Sequence, residues 1–304
     1  SLGSAFKMLS PEGTRWHHFR WVAYAGNYLL MMFYTMVAGW MLNYFVYSLT
    51  GQLSGKNVEQ IGGEFNNMLS TPSVMIFWTL VVVVISILVC SLGLQKGVEK
   101  ISKVMMILLF ALMIIMAVNS LLLDGSSEGL KFYLVPDFSK MKEQGIGNVV
   151  FAAMSHAFFT LGLGIGSMEI FGSYLSRDCK LTGESINVVI LDTVVALTAG
   201  IIIIPACFAY GINPGAGPSL LFITLPNVFN QMPGGVIWEV LFFIFMAFAA
   251  LSTVIAVYEN IIAMTMDLFN CSRKRASLVN LFVISVLCMP AVLGYNVLSG
   301  VQPL

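Results

Sequence analysis

The sequence predicts an all-α membrane protein, a polytopic bundle of helices, and three observations carry that reading. Apolar residues make up 58% of the chain and charged residues 10%, whereas soluble domains average about 25% charged. Seven apolar stretches, at about 19–49, 73–94, 102–123, 146–176, 185–212, 234–268 and 276–297, each reach the roughly 20 residues that a helix needs to cross hydrocarbon. The basic residues are also divided unevenly between alternate loops. With the N-terminal end inside, Lys7, Arg15, Arg20, Lys96, Lys100, Lys103, Arg177, Lys180, Arg273, Lys274 and Arg275 fall on the cytoplasmic side. Only Lys56, Lys131, Lys140 and Lys142 fall outside, the bias that orients membrane proteins. The expectation is one transmembrane domain over 1–304, multi-pass in the cell membrane.

The first span is rich in aromatic residues, among them Trp21, Tyr24, Tyr28, Tyr34, Trp40 and Tyr44, most of which suit packing or an interfacial belt. The loop 50–72 carries Gly, Asn and Ser with little apolar content. The second span, Val74 to Cys90, is rich in Val and Ile and has no ionisable group, so it reads as lipid-facing scaffold. The loop 124–145 carries Pro136-Asp137 and several charges. The fourth span is too long for one crossing, since 31 residues make roughly 46 Å at about 1.5 Å each against a core of about 30 Å. A break at Gly162–Gly166 divides it into two half-helices. Within the uncharged loop 213–235, Leu220 to Phe229 is apolar and reads as a loop helix dipping back against the protein.

The five cysteines lie outside the predicted outer loops and lack metal-ligand spacing, which argues against a disulfide framework or a zinc site. Ser1 to Phe6 read as mid-loop sequence and Gln302-Pro303-Leu304 stops just after a span. The expectation is a fragment truncated at both ends.

Two segments carry the functional signal: Phe158-Phe159-Thr160-Leu161-Gly162-Leu163-Gly164-Ile165-Gly166-Ser167 and Ala249-Ala250-Leu251-Ser252-Thr253. Glycines at mid-membrane depth loosen a helix, and the freed backbone groups need partners that lipid cannot supply. Such backbone survives where it lines a cavity, and transporters use it to hold ions and substrates. Three glycines in five residues cannot share one packing face, so unwinding explains them better than close helix contact. Gly-x-Gly-x-Gly here follows no strand, so it is no nucleotide loop. Hydroxyls such as Thr160, Ser252 and Thr253 by default bond back to their own helix, whereas hard cations need several oxygens together.

With Gly172-Ser173-Tyr174-Leu175 and Gly217-Pro218-Ser219-Leu220-Leu221-Phe222-Ile223-Thr224-Leu225-Pro226, these segments resemble the neurotransmitter:sodium symporter family, in particular the bacterial sodium-dependent amino acid transporters. The resemblance implies an inverted-repeat fold with two five-helix repeats around a midplane site, of which this chain covers roughly the third to the ninth helices. It implies that Tyr34 contacts the substrate carboxylate and that the backbone of Leu161, Gly162 and Gly164 holds its polar end. Leu30, Phe159, Ile165, Val254 and Val257 would line the side-chain pocket. Thr160 matches the first sodium site, and Ala249, Ser252 and Thr253 match the second. Asp192 lies where relatives carry a sodium-liganding Asn and could supply the negative charge that chloride gives other relatives. Asp267 matches a cytoplasmic gate acid.

The implied partners are sodium, an amino acid and the lipid bilayer, with no organic cofactor and no nucleic acid; association with further copies is compatible with the sequence. An apolar lining suits a neutral substrate with an apolar or aromatic side chain. Proton coupling through Glu259 or Asp192, intramembrane acids that are functional by default, is the alternative, as is an inactive truncated product. Glu169 and Glu259 are otherwise unassigned, and His156 reads as a satisfied core polar group. A seven-span retinal protein needs a lysine in its last span, and 276–297 has none. No Ser/His/Asp or paired-carboxylate arrangement suggests an enzyme.

Overall fold

The computed structural model describes residues 2–93, 99–164, 166–173, 175, 178–211 and 218–300. Lys96, Ile165, Tyr174, Arg177 and the stretch 213–217 lie outside the described residues.

A short helix, α1 (Leu2–Leu9), leads through a 3-10 turn at Trp16–His18 into α2 (Phe19–Leu49). The segment that follows contains α3 (Val58–Ser70), and α4 (Pro72–Ser91) and α5 (Lys100–Leu121) return through the bundle. Two short helices, α6 (Ser126–Leu134) and α7 (Phe138–Gln144), precede α8 (Ile146–Thr160), which stops at Leu161. The chain resumes as α9 (Ser167–Ser173) and α10 (Leu181–Ala209). A π-helical turn at Leu220–Thr224 runs into α11 (Leu225–Gln231), followed by α12 (Gly235–Phe269) and α13 (Arg273–Leu293).

Six of these helices are long and apolar enough to cross a membrane. The fourth predicted span is the exception and is interrupted as the glycines require. Gly162, Gly164 and Gly166 have φ of 62°, 82° and 81°, a left-handed backbone that costs glycine little and ends the helix there.

The core is built on α2 and α12. Their contacts pair Tyr24 with Thr265, Asn27 with Asn260, Thr35 with Tyr258 and Tyr44 with Phe243. Numbers rising on one helix as they fall on the other make the pair antiparallel. Against α13 the partners of Tyr28 and Met31 are Asn280 and Cys288, rising together, so α2 and α13 run parallel. Every residue of α12 from Val257 to Thr265 is buried, including Glu259, Asn260 and Thr265, so its polar side chains must find partners on neighbouring helices. α4 packs against α2, α12 and α13, α5 against α12, and α10 against α5 and α6.

α4 corrects one expectation. Met75, Thr79, Val82, Val83, Ser86 and Cys90 are buried while Phe77, Val84, Ile85 and Leu88 are exposed, so it is a two-faced element and not purely lipid-facing scaffold. The approach of α2 to α4 is set by Gly39, whose missing Cβ would lie 3.1 Å from the backbone of Trp78 and Thr79. Backbone cannot swing aside as a side chain can, so Gly39→Ala is expected to cost about 1–3 kcal/mol. Thermal denaturation of the detergent-solubilised protein measures this, and an unchanged midpoint would show that the contact yields freely.

Near the C-terminal end of α2, Trp40, Phe65, Phe222, Tyr44 and Phe243 form one aromatic cluster joining α2, α3, the π-helical turn and α12. Asn230 fastens α11 to the loop between α2 and α3 by donating to the Leu53 and Lys56 carbonyls at 2.8 and 3.0 Å. The expected loop helix near Leu220–Phe229 is therefore present and docked on the bundle. Beside it, the Lys56 ammonium 2.5 Å from Glu64, helped by the Gln52 amide, holds that carboxyl below the usual range.

Candidate functional site

Tyr34 stands at the middle of α2 and Ser252-Thr253 at the middle of α12, so the antiparallel pairing brings them to one depth. The Tyr34 side chain meets that of Thr253. The Ser252 and Thr253 hydroxyls both turn to the Ala249 carbonyl, at 2.8 and 3.3 Å. Back-bonding of this kind is the ordinary behaviour of Ser and Thr in helices. Here it also gathers three neutral oxygens at one spot, part of the donor set that a hard cation takes. Val254 and Val257 are buried on the same helix, and Leu30 lies half-buried one turn before Tyr34.

The other predicted residues are not gathered there. α8 has no buried side chain and packs against α7, which leaves Phe159 exposed and Thr160 bonded to its own Ala157 carbonyl at 3.3 Å. Leu161 and Gly162 are half-buried at the break, Gly164 is exposed, and Ile165 lies outside the described residues. Asp192 is half-exposed on α10 and makes no hydrogen bond among the described residues. His156 is exposed on α8, which corrects its reading as a core group. Asp267, exposed in the last turn of α12, accepts a hydrogen bond from Ser4 of α1 at 2.5 Å.

Several polar residues that hold the site were not singled out from sequence. The Thr35 and Tyr258 hydroxyls share a buried hydrogen bond at 2.9 Å, fixing the register of α2 on α12 one residue from Tyr34. Toward the N-terminal end of α2, Tyr24, Tyr28, Thr265 and Asn280 close a ring of hydrogen bonds across α2, α12 and α13. Deeper still, the Arg273 guanidinium forks onto Glu259 with both nitrogens at 2.8 Å, and Nη1 also donates to the Cys90 carbonyl at 3.1 Å. Glu259 is thus an ion-paired acid. Polar residues in apolar spans were the available signal, but their partners lie on other helices.

Comparison with known proteins agrees with this architecture. The profile of the sodium:neurotransmitter symporter family matches residues 56–301. An uncharacterised sodium-dependent transporter, YhdH of Bacillus subtilis (strain 168), is 36% identical over 98% of this chain and 65% of its own length. An uncharacterised sodium-dependent transporter of Haemophilus influenzae is 32% identical over 94% of this chain and 63% of its own. The chain therefore spans a little under two thirds of the length of these relatives. Among solved structures, MhsT in complex with L-phenylalanine superposes with a TM-score of 0.87 at 38% identity, covering 99% of this chain and 68% of MhsT. The likeness in sequence and in fold leads to one assignment: the chain belongs to the sodium:neurotransmitter symporter family.

Proposed function

We propose that the protein is a sodium-coupled symporter of neutral amino acids with apolar or aromatic side chains, with the N-terminal end of this chain cytoplasmic. The observation that carries the reading is the approach of the Tyr34 side chain to Thr253, whose hydroxyl shares the Ala249 carbonyl with that of Ser252 at mid-depth. Sodium would take the three oxygens, adding its charge where the protein supplies none. The Tyr34 hydroxyl would donate to the substrate carboxylate, and backbone freed at Leu161–Gly164 would meet its ammonium. Leu30, Val254 and Val257 offer no partner for a second charge, which excludes acidic and basic side chains. The phenylalanine bound to MhsT fits that preference. Asp267 would act as a cytoplasmic gate acid.

Uptake by the full-length protein in proteoliposomes tests the reading. Phenylalanine or leucine is expected to enter under an inward sodium gradient, with little competition from glutamate or lysine. Uptake that follows only a proton gradient, or that prefers a charged amino acid, would overturn it. Ser252→Ala and Thr253→Ala each delete one oxygen, worth about 0.5–1.5 kcal/mol. The half-saturating sodium concentration is expected to rise roughly two- to twelvefold in each. Substrate affinity at saturating sodium should change less; unchanged sodium dependence in both variants would remove these hydroxyls from the ion site.

A further inference from the structure

The N-terminal end of α2 carries a group of side chains away from Tyr34 and the α12 oxygens. Thr14, Arg15, Trp16, His18, Phe19 and Val22 line a concavity of about 420 Å³. Trp16 is 64% exposed, and Phe19 and Val22 are 48% and 61% exposed, at the point where the apolar span begins. The Arg20 guanidinium stands 5.7 Å over the Trp21 ring, and its shielded Nε has no acceptor. Trp21 in turn meets Phe269 at 6.3 Å, so the aromatic collar continues to the end of α12 and the turn before exposed Lys274 and Arg275.

Among the described residues no carboxylate pairs with Arg15, Arg20, Lys274 or Arg275. The acids nearby are engaged or placed elsewhere. Asp267 accepts from Ser4, Glu169 lines the adjoining cleft on the other side of Trp16, and exposed Glu12 lies in the preceding loop. Exposed aromatic rings at the foot of a span, with guanidinium groups beside them, match the two layers of a bilayer surface, glycerol below and phosphate above. A soluble anion would use the guanidinium groups alone and leave Phe19 and Val22 in water. A lipid uses both.

We propose that this concavity seats the headgroup of an anionic phospholipid. Arg15, in the lining, pairs with its phosphate, Arg20, outside the lining, adds its charge from beside Trp21, and Trp16, Phe19 and Val22 pack against its glycerol and first methylenes. The site is separate from Tyr34 and the α12 oxygens and does not depend on the ion or substrate assignment.

Native mass spectrometry of the full-length protein, titrated with phosphatidylglycerol or phosphatidylcholine, tests this. Phosphatidylglycerol is expected to be retained in preference. Each basic residue near a membrane surface contributes about fivefold to such binding, so R15Q/R20Q should lower phosphatidylglycerol retention by roughly thirtyfold. R15K/R20K, which keeps the charge, should retain most of it. In the unmodified protein, raising the salt concentration should weaken the preference, a measurement that needs no variant to fold. Equal retention of the two lipids, salt-insensitive retention, or an unaltered preference in R15Q/R20Q overturns the proposal. Displacement of the lipid by glycerol phosphate or inorganic phosphate at matched concentration overturns it too, in favour of a site for soluble anions.

Discussion

Arg273→Met is expected to destabilise the folded protein by about 3–5 kcal/mol, the penalty for leaving a buried charge without its partner. Glu259 is fully buried on α12, and both of its oxygens accept from the one guanidinium. The same guanidinium reaches the Cys90 carbonyl at the end of α4, so one side chain ties α4, α12 and α13 together. Methionine fills similar volume, which separates the electrostatic loss from a cavity. Arg273→Lys keeps the charge but cannot fork onto two oxygens, and it should fall between the other two proteins. Glu259→Gln combined with Arg273→Met removes the stranded charge and should recover part of the loss. The thermal midpoint of the solubilised full-length protein reports all four. An Arg273→Met midpoint equal to that of the unmodified protein would show that water or another group already compensates Glu259.

That ion pair also marks how far the sequence could be read. Glu259 is recognisable alone as a costly intramembrane acid, but its partner is 14 residues further on, across the α12–α13 turn, where Arg273 looks like one more inner-side cation. The spans themselves were legible because length and apolarity are properties of a segment. The prediction of 19–49 agrees with α2 at Phe19–Leu49, and 234–268 agrees within a residue with α12 at Gly235–Phe269. The break in the fourth span was legible because only glycine enters left-handed backbone freely. In α4, apolar side chains occupy both faces, so periodicity gives no buried side. In α3, Ile61, Phe65 and Met68 form one buried face, yet the surrounding Gly and Asn residues masked so short a repeat. Packing of α8 was not legible at all: an apolar pattern says that Phe159 and Thr160 avoid water, not which surface receives them.

The candidate site was proposed through resemblance and not through pattern, and Tyr34 shows why. One tyrosine in an aromatic-rich span is ordinarily a packing residue. The structure distinguishes it by depth and company: it lies opposite Thr253, whose neighbour Ser252 and carbonyl Ala249 complete the oxygen group. Tyr34→Phe keeps the ring and its packing and removes only the hydroxyl. A hydrogen bond to a charged group is worth about 1.5–3 kcal/mol, so substrate affinity of the full-length protein is expected to fall roughly ten- to a hundredfold. Thr35→Val supplies the contrast, because it breaks the buried bond to Tyr258 without touching the proposed substrate. It should lower the thermal midpoint while changing affinity far less. A Tyr34→Phe protein that binds phenylalanine as tightly as the unmodified one would assign the carboxylate to another donor and leave Tyr34 a packing residue. A loss of affinity without loss of thermal stability would place the hydroxyl on the substrate, since a merely structural tyrosine would change both together.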